Sequence, residues 1–431
     1  MKRGLAFCRA VILVAASLTY LLLAPLLYSA EQQAGTSRLA EIRVTGSTRF
    51  TSEQIAAATG LHVGSEVGRD DFQRAADTLA KTGRFTSVQY RYSDVEQGVR
   101  AEYQVTDAPS VSVWFDNFPW FTDEELQGAL KTAVPLFDGT APEGGSVLDD
   151  ITDTLQLQIA KNGVHATVSH VLTTAPGSEE RILQFRVDEQ GLVVASIDFG
   201  DALAQNDRTL HARLPDLVGA QYSRTALALF EFEQVRPVYL SHGFLRVRFG
   251  PTTAKVVGAS VAITAPIDPG PAFAWRAPTW SGNTVFGPLE LVTLVPLHDG
   301  DIADGMKIEH GWQAIADAYA RHGYLDANLS PVPHFDDAAK TITYSVAIAE
   351  GPQYHMGNLV LTGLSTDGEK RIRARWKIPQ GAVFDKGVYE EFMASGIKEA
   401  FAGVPFHYEK IGRFLEKHAN DATVDVLIDF Q

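Results

Sequence analysis

The chain is predicted to be an α+β repeat protein of five tandem units, each packing two helices on one face of a three-stranded sheet. Three observations predict this. Glycine recurs at Gly83, Gly163, Gly243, Gly323 and Gly403, 80 residues apart four times in succession. Segments with helical period precede it, such as Phe72, Ala75, Ala76, Leu79 and Trp312, Ile315, Ala316, Tyr319. Segments with strand period come after it, such as Phe85, Val88, Tyr90, Tyr92. With 36 glycines in 431 residues, agreement at four fixed offsets is not chance. A helix that must stop and become a strand wants a left-handed residue just past its last turn, and glycine adopts that conformation without a Cβ clash. Each of the five is therefore expected at or just past a helix end, most of them with positive φ.

The first unit shows the order of elements. EIRVTGS opens it as a short strand with Ile42 and Val44 alternating. Thr51 or Ser52 caps a first helix whose apolar face includes Ile55 and Ala58, with Glu53 in its first turn. A second helix runs from about Asp70 to Lys81, and two strands come next, at 86–92 and 99–106. Strand, helix, helix, strand, strand is the resulting order, with the last two strands forming a hairpin.

The same order is read four more times, giving units at 39–108, 109–190, 191–266, 270–351 and 353–431. The second has a longer loop around Phe137 to Gly145. In the third, FLRVRFG after the glycine reads as a strand of period two. APIDPGP, at Ala265 to Pro271, reads as the loosest joint because its prolines offer few contacts. Pro278, Trp280 and Gly282 interrupt the fourth unit's first strand, and GNLVLTGL opens the fifth in the manner of EIRVTGS.

Residues 1–30 read as a targeting segment. Lys2, Arg3 and Arg9 precede an apolar run at 10–28 that reaches spanning length. It is either removed near Ser29 or Ala30 or kept as an N-terminal membrane anchor, and in both cases the chain beyond Glu31 is exported. Cys8 is the only cysteine, so the exported part forms no disulfide and offers no thiolate to a metal. The net charge of −15 lacks the basic footprint of a nucleic-acid binder. With 45% hydrophobic and 21% charged residues, each unit can bury a small core.

No motif of catalysis or cofactor binding is found. Asp149, Asp150 and Asp153 sit where carboxylates favour a helix N-terminus. His298, Asp299, Asp301 and Asp304 read as a turn leading into a helix, and His310 and His322 lack the spacing of zinc hydrolases. No metal, cofactor or enzymatic activity is expected.

IRVTGS with KTGRFTSV, LSHGFL, ARHGYLDA with SVAIAEGPQY, and LVLTGL with AGVPF together resemble the POTRA domain, the module of BamA-like outer-membrane assembly factors. The resemblance covers about Leu39 to Gln431. It implies a periplasmic, outer-membrane-associated array that meets unfolded outer-membrane proteins or a separate β-barrel or assembly protein. The family's own barrel of alternating strands is not read in this chain. By resemblance, the strand after the repeating glycine is the edge that accepts a client strand, at Thr86, Val88, Tyr90 and Tyr92, at Phe244, Val247 and Phe249, and at Tyr324. An alternative reading is an envelope scaffold held in the inner membrane by residues 10–28.

Overall fold

The computed structural model describes residues 36–431 apart from 190, 405 and 406, so the targeting segment and Cys8 lie outside the described residues. The chain is α+β. Two compact bodies divide it, residues up to Ala108 and residues from Pro109.

In the first body β1 (Ser37–Thr45) is followed by α1 (Ser52–Ala58), β2 (Glu66–Val67), α2 (Arg69–Lys81), β3 (Phe85–Val95) and β4 (Gly98–Asp107). Thr51 and Gln54 close a capping box at the start of α1, each side chain satisfying the other's backbone N–H. β1 runs parallel to β4, and β3 pairs with β4 as an antiparallel hairpin. Val99, Ala101, Tyr103 and Val105 alternate inward along β4 to meet Phe72, Ala75, Ala76 and Leu79 of α2, all buried. Phe72, Leu79, Val99 and Val105 contribute about 1.5–3 kcal/mol each when fully buried, which holds the helices to one face.

The second body repeats the plan. Its first sheet holds β5 (Val111–Phe115), β6 (Thr140–Ala141), β7 (Val168–Thr174) and β8 (Arg181–Val187), covered by α3 (Asp123–Ala133) and α4 (Val147–Lys161). Next come β9 (Val193–Asp198), α5 (Ala202–Asn206), α6 (Arg208–Arg213), α7 (Arg224–Phe230) and α8 (Arg236–Ser241), with a π-turn at Glu231–Val235 joining the last two. β10 (Arg248–Phe249), β11 (Thr253–Val257), β12 (Ser260–Thr264) and β13 (Ile267–Asp268) complete this group. The fourth group has β14 (Ala274–Trp275), β15 (Thr279–Ser281), α9 (Pro288–Thr293), α10 (Gly305–Arg321), β16 (Asn328–Asp336) and β17 (Thr341–Ala349). The last has β18 (His355–Thr362), α11 (Thr366–Arg375), α12 (Lys386–Glu391), α13 (Ile397–Ala400), β19 (Ile411–His418) and β20 (Thr423–Phe430). β14 and β15 both run parallel to β17, so the break at Pro278 splits one strand into two.

Two expectations are corrected. The sheets are not all three-stranded, because the turn before the second helix is drawn antiparallel against the start of the first strand. This adds β2 and β6 to their sheets, and elsewhere it leaves single bridges at Val193–Gln221, Ala274–Ile302 and His355–Val383. Nor is 265–271 loose. Ala265 and Ile267 donate to Asp198 and Phe199 at 2.8 and 3.2 Å, Gly250 donates to Pro266 at 2.7 Å, and β13 pairs with β10. Proline cannot donate to such a ladder but can accept from it, and the Pro266 carbonyl does so.

The repeating glycine behaves as its spacing predicts. All five have φ between 75° and 84°, one or more residues past a helix end. At three of them the two bonds of a Schellman stop are present: Gly163 to Ala160 with Val164 to Ile159, Gly243 to Leu240 with Phe244 to Tyr239, and Gly323 to Ala320 with Tyr324 to Tyr319.

Candidate functional site

After each glycine comes the outer strand of a sheet: β3, β7, β11, β16 and β19 each pair on one side only among the described residues. A strand paired on one side keeps a row of N–H and C=O groups without a ladder partner on the other. These edges form the candidate site.

β3 carries four of the expected residues. Thr86 occupies the irregularity between Phe85 and Ser87 and donates its hydroxyl to the Thr106 carbonyl at 3.3 Å. Tyr92 stacks on Phe72 of α2 with ring centroids 4.9 Å apart, and the Tyr90 hydroxyl donates to Gln73 at 3.0 Å. Val88 shares their face. Tyr90 and Tyr92 thus lean on α2, and the backbone of β3 runs along the side of the sheet.

Phe244, Val247 and Tyr324 are not on strands, and Phe249 is on β10, which pairs on one side only but outside the third sheet. Residues 244–247 form a turn, Arg248–Phe249 pairs with β13, and the outer strand of the third sheet is β11. Tyr324 likewise precedes β16. The reason is the helix stop itself: Phe244 and Tyr324 are the residues that pack back on Tyr239 and Tyr319, with centroids 6.0 and 6.1 Å apart.

In these two copies the residues just after the glycine form a joint. Leu245 packs against the core of the fourth group and Leu325 against that of the fifth. Arg246 lies 3.9 Å from the Phe335 ring centroid and pairs with Asp337 at 2.9 Å. Asp326 occupies the equivalent place, pairs with Lys417 and accepts the Tyr354 hydroxyl at 2.6 Å. Lys417 and this hydroxyl hold the Asp326 carboxyl below the usual carboxylate range. HGFLR and HGYLD are the sequence signal, a recurrence of residue types at one spacing. It was legible as a repeat but not as a joint.

The joint between the second and third groups is built differently. Asp116 accepts from the Ser223 hydroxyl and the Thr225 N–H at 2.9 and 2.8 Å, capping α7, while Arg224 pairs with Asp123. Trp114 and Gln184, on the sheet face away from α4, donate to the Thr225 hydroxyl at 3.2 and 2.9 Å. The sheet's second face is thus occupied by α7, and its β7 edge is left.

Along the C-terminal half of α4 an open groove of about 1160 Å³ is lined by Leu157, Ala160, Val164 and Ala166 together with Asp153, Arg186 and Asp188. Leu157 is 67% exposed there.

The acidic clusters have structural roles. Asp149 and Asp150 lie in the first turn of α4, Asp304 caps α10 by accepting from Met306 and Lys307, and Asp301 accepts from His298. Burial and the neighbouring Asp149 and Asp153 push the Asp150 carboxyl up. Among the described residues no group of three His, Cys, Asp or Glu is placed to hold a metal ion. No helix among them is long and apolar enough to cross a membrane.

The described residues form a series of small α+β sheets, each with an outer strand paired on one side. Residues 276–351 match the POTRA family model, described as a surface antigen variable number repeat. Over 222 residues, 49% of this chain, it is 26% identical to a protein of Treponema pallidum (strain Nichols) named as an outer membrane protein assembly factor. The match spans 26% of that protein's length. Among solved structures it is similar to POTRA3-5 of BamA from Haemophilus influenzae, with 19% identity, 56% of this chain and 96% of the other covered, and a TM-score of 0.43. POTRA1-3 of the periplasmic domain of Omp85 from Anabaena is 12% identical over 92% of this chain and 95% of its own, with a TM-score of 0.19.

Proposed function

We propose that this is a non-enzymatic, periplasmic array that binds extended segments of outer-membrane proteins, or an assembly partner, by adding a strand to its sheet edges during outer-membrane protein assembly or secretion. One observation carries the reading: in each repeat, the first long strand after the recurring glycine is an outer one. Main-chain hydrogen bonds are indifferent to sequence, so such edges suit many clients, each held weakly and several together through avidity. The relative's name supports the pathway. Units at 39–108, 109–190, 191–266, 270–351 and 353–431 are the separate folding modules of this reading.

The test is substitution along β3. N–H groups alternate sides along a strand, so one of Gln89 and Tyr90 faces the free side. A labelled ten-residue peptide of alternating threonine and valine flanked by lysines is titrated against the full chain. Proline at the outward position deletes a donor and should weaken binding at least 5-fold relative to alanine at the same place, with circular dichroism confirming the fold. Equal affinities for alanine and proline at 89 and 90, and likewise at 170 and 171 of β7, would remove strand addition as the mode of binding.

A further inference from the structure

The five outer strands are not equally able to accept a partner. β16 keeps continuous register with β17 from Asn328 opposite Ala349 to Asp336 opposite Thr341, and it does so through both Pro331 and Pro333. Proline has no N–H to give. A ladder that survives two of them has both at positions whose backbone faces away from the partner strand. Residues two apart face the same side. The free side of β16 therefore lacks two successive donors, and the two pyrrolidine rings stand where an incoming strand's carbonyls would need N–H groups.

The other edges contrast with it. β3, at 11 residues, and β7, at 7, contain no proline. β11 is 5 residues long and its start borders Trp120 of the preceding group. β19 has its Lys417 committed to Asp326 at the joint.

We infer that Pro331 and Pro333 close the edge of the fourth sheet, so that a client strand is excluded there and is taken up on β3 and β7. The inference rests on the strand-addition reading for its client, though closure of the edge stands without it. It makes the array directional: client strands enter at the N-terminal sheets, while the fourth serves as a joint, anchored through Arg246 on one side and Asp326 on the other. Closing an edge in this way also keeps two copies of the chain from pairing through β16.

Hydrogen–deuterium exchange on the full chain, with the same threonine–valine peptide as probe, tests this. Amides of 85–95 and 168–174 should slow at least 5-fold on adding peptide, and those of 328–336 should not. In P331T/P333T, and in P333T alone as a milder change at an exposed site, 328–336 should gain protection from the peptide or from a concentration-dependent dimer seen by sedimentation. Protection of 328–336 in the unaltered chain equal to that of 85–95 would overturn the closure. So would folded variants that show neither peptide protection nor dimer. Absence of peptide protection at β3 and β7 together with a dimer of the variant would instead sink the strand-addition reading while keeping the closed edge.

Discussion

The N–H of Tyr354 donates to the carbonyl of Gly323 at 2.8 Å, and 81 residues earlier the N–H of Phe273 donates to Gly243 at 3.0 Å. The glycine that stops one helix is thus also the docking point for the next group. A Cβ on Gly323 would stand 2.8 Å from the Tyr354 carbonyl oxygen and 2.9 Å from Val383, whereas a Cβ on Gly163 would meet nothing within 4 Å.

These two glycines therefore separate two costs. Gly163→Ala incurs only the strain of a left-handed backbone and should lose about 1–2 kcal/mol. Gly323→Ala adds a collision with backbone and should lose about 2–5 kcal/mol in all. Denaturant titration of both variants checks the order, and equal losses would refute the docking role of Gly323.

The two joint ion pairs have opposite polarity, Arg246 to Asp337 and Asp326 to Lys417. Asp326→Lys should destabilise, and adding Lys417→Asp should restore about 0.5–1 kcal/mol of the loss, the scale of a partly exposed pair. Tyr354 keeps the restoration incomplete because its hydroxyl loses its acceptor. At the other joint, Arg246→Lys keeps the charge but not the planar stack on Phe335, and should cost about 0.5–1 kcal/mol. Thermal melts of the single and double variants measure both.

Glu231 lies buried in the π-turn between α7 and α8, and one of its carboxylate oxygens has no hydrogen-bond partner among the described residues. Burial pushes its carboxyl up from 4.5 to about 7 against the pull of Arg224. A folded pKa above the unfolded one means that its contribution is fully present below about pH 4.5 and is lost as pH rises through about 7. Glu231→Gln should leave stability unchanged at pH 4 and raise it by roughly 2–3 kcal/mol at pH 8. Urea unfolding at both values decides, and a gain that is the same at the two pH values would assign the effect to something other than ionisation.

Segment 265–271 should resist limited digestion by proteinase K, because its backbone is bonded to β9 and β10. Early cleavage inside 265–271, mapped by mass spectrometry, would show that these bonds open readily.

The repeat, the α+β class and the positive φ of the five glycines were legible in the sequence because a helix stop is local: its bonds join residues close together in the chain. The apolar face of α2 was legible for the same reason. Whether FLRVRFG becomes an outer strand or a joint was not, since its period of two fits both. The choice was made by Leu245 entering the next core and by Arg246 meeting Asp337, 91 residues away. The fourth strand of the first sheets was missed because two residues, Glu66 and Val67, carry too little pattern to read. The prolines of β16 are plain in the sequence, but only the ladder to β17 determines which way their nitrogens face, because pairing register is a property of two strands and not of one.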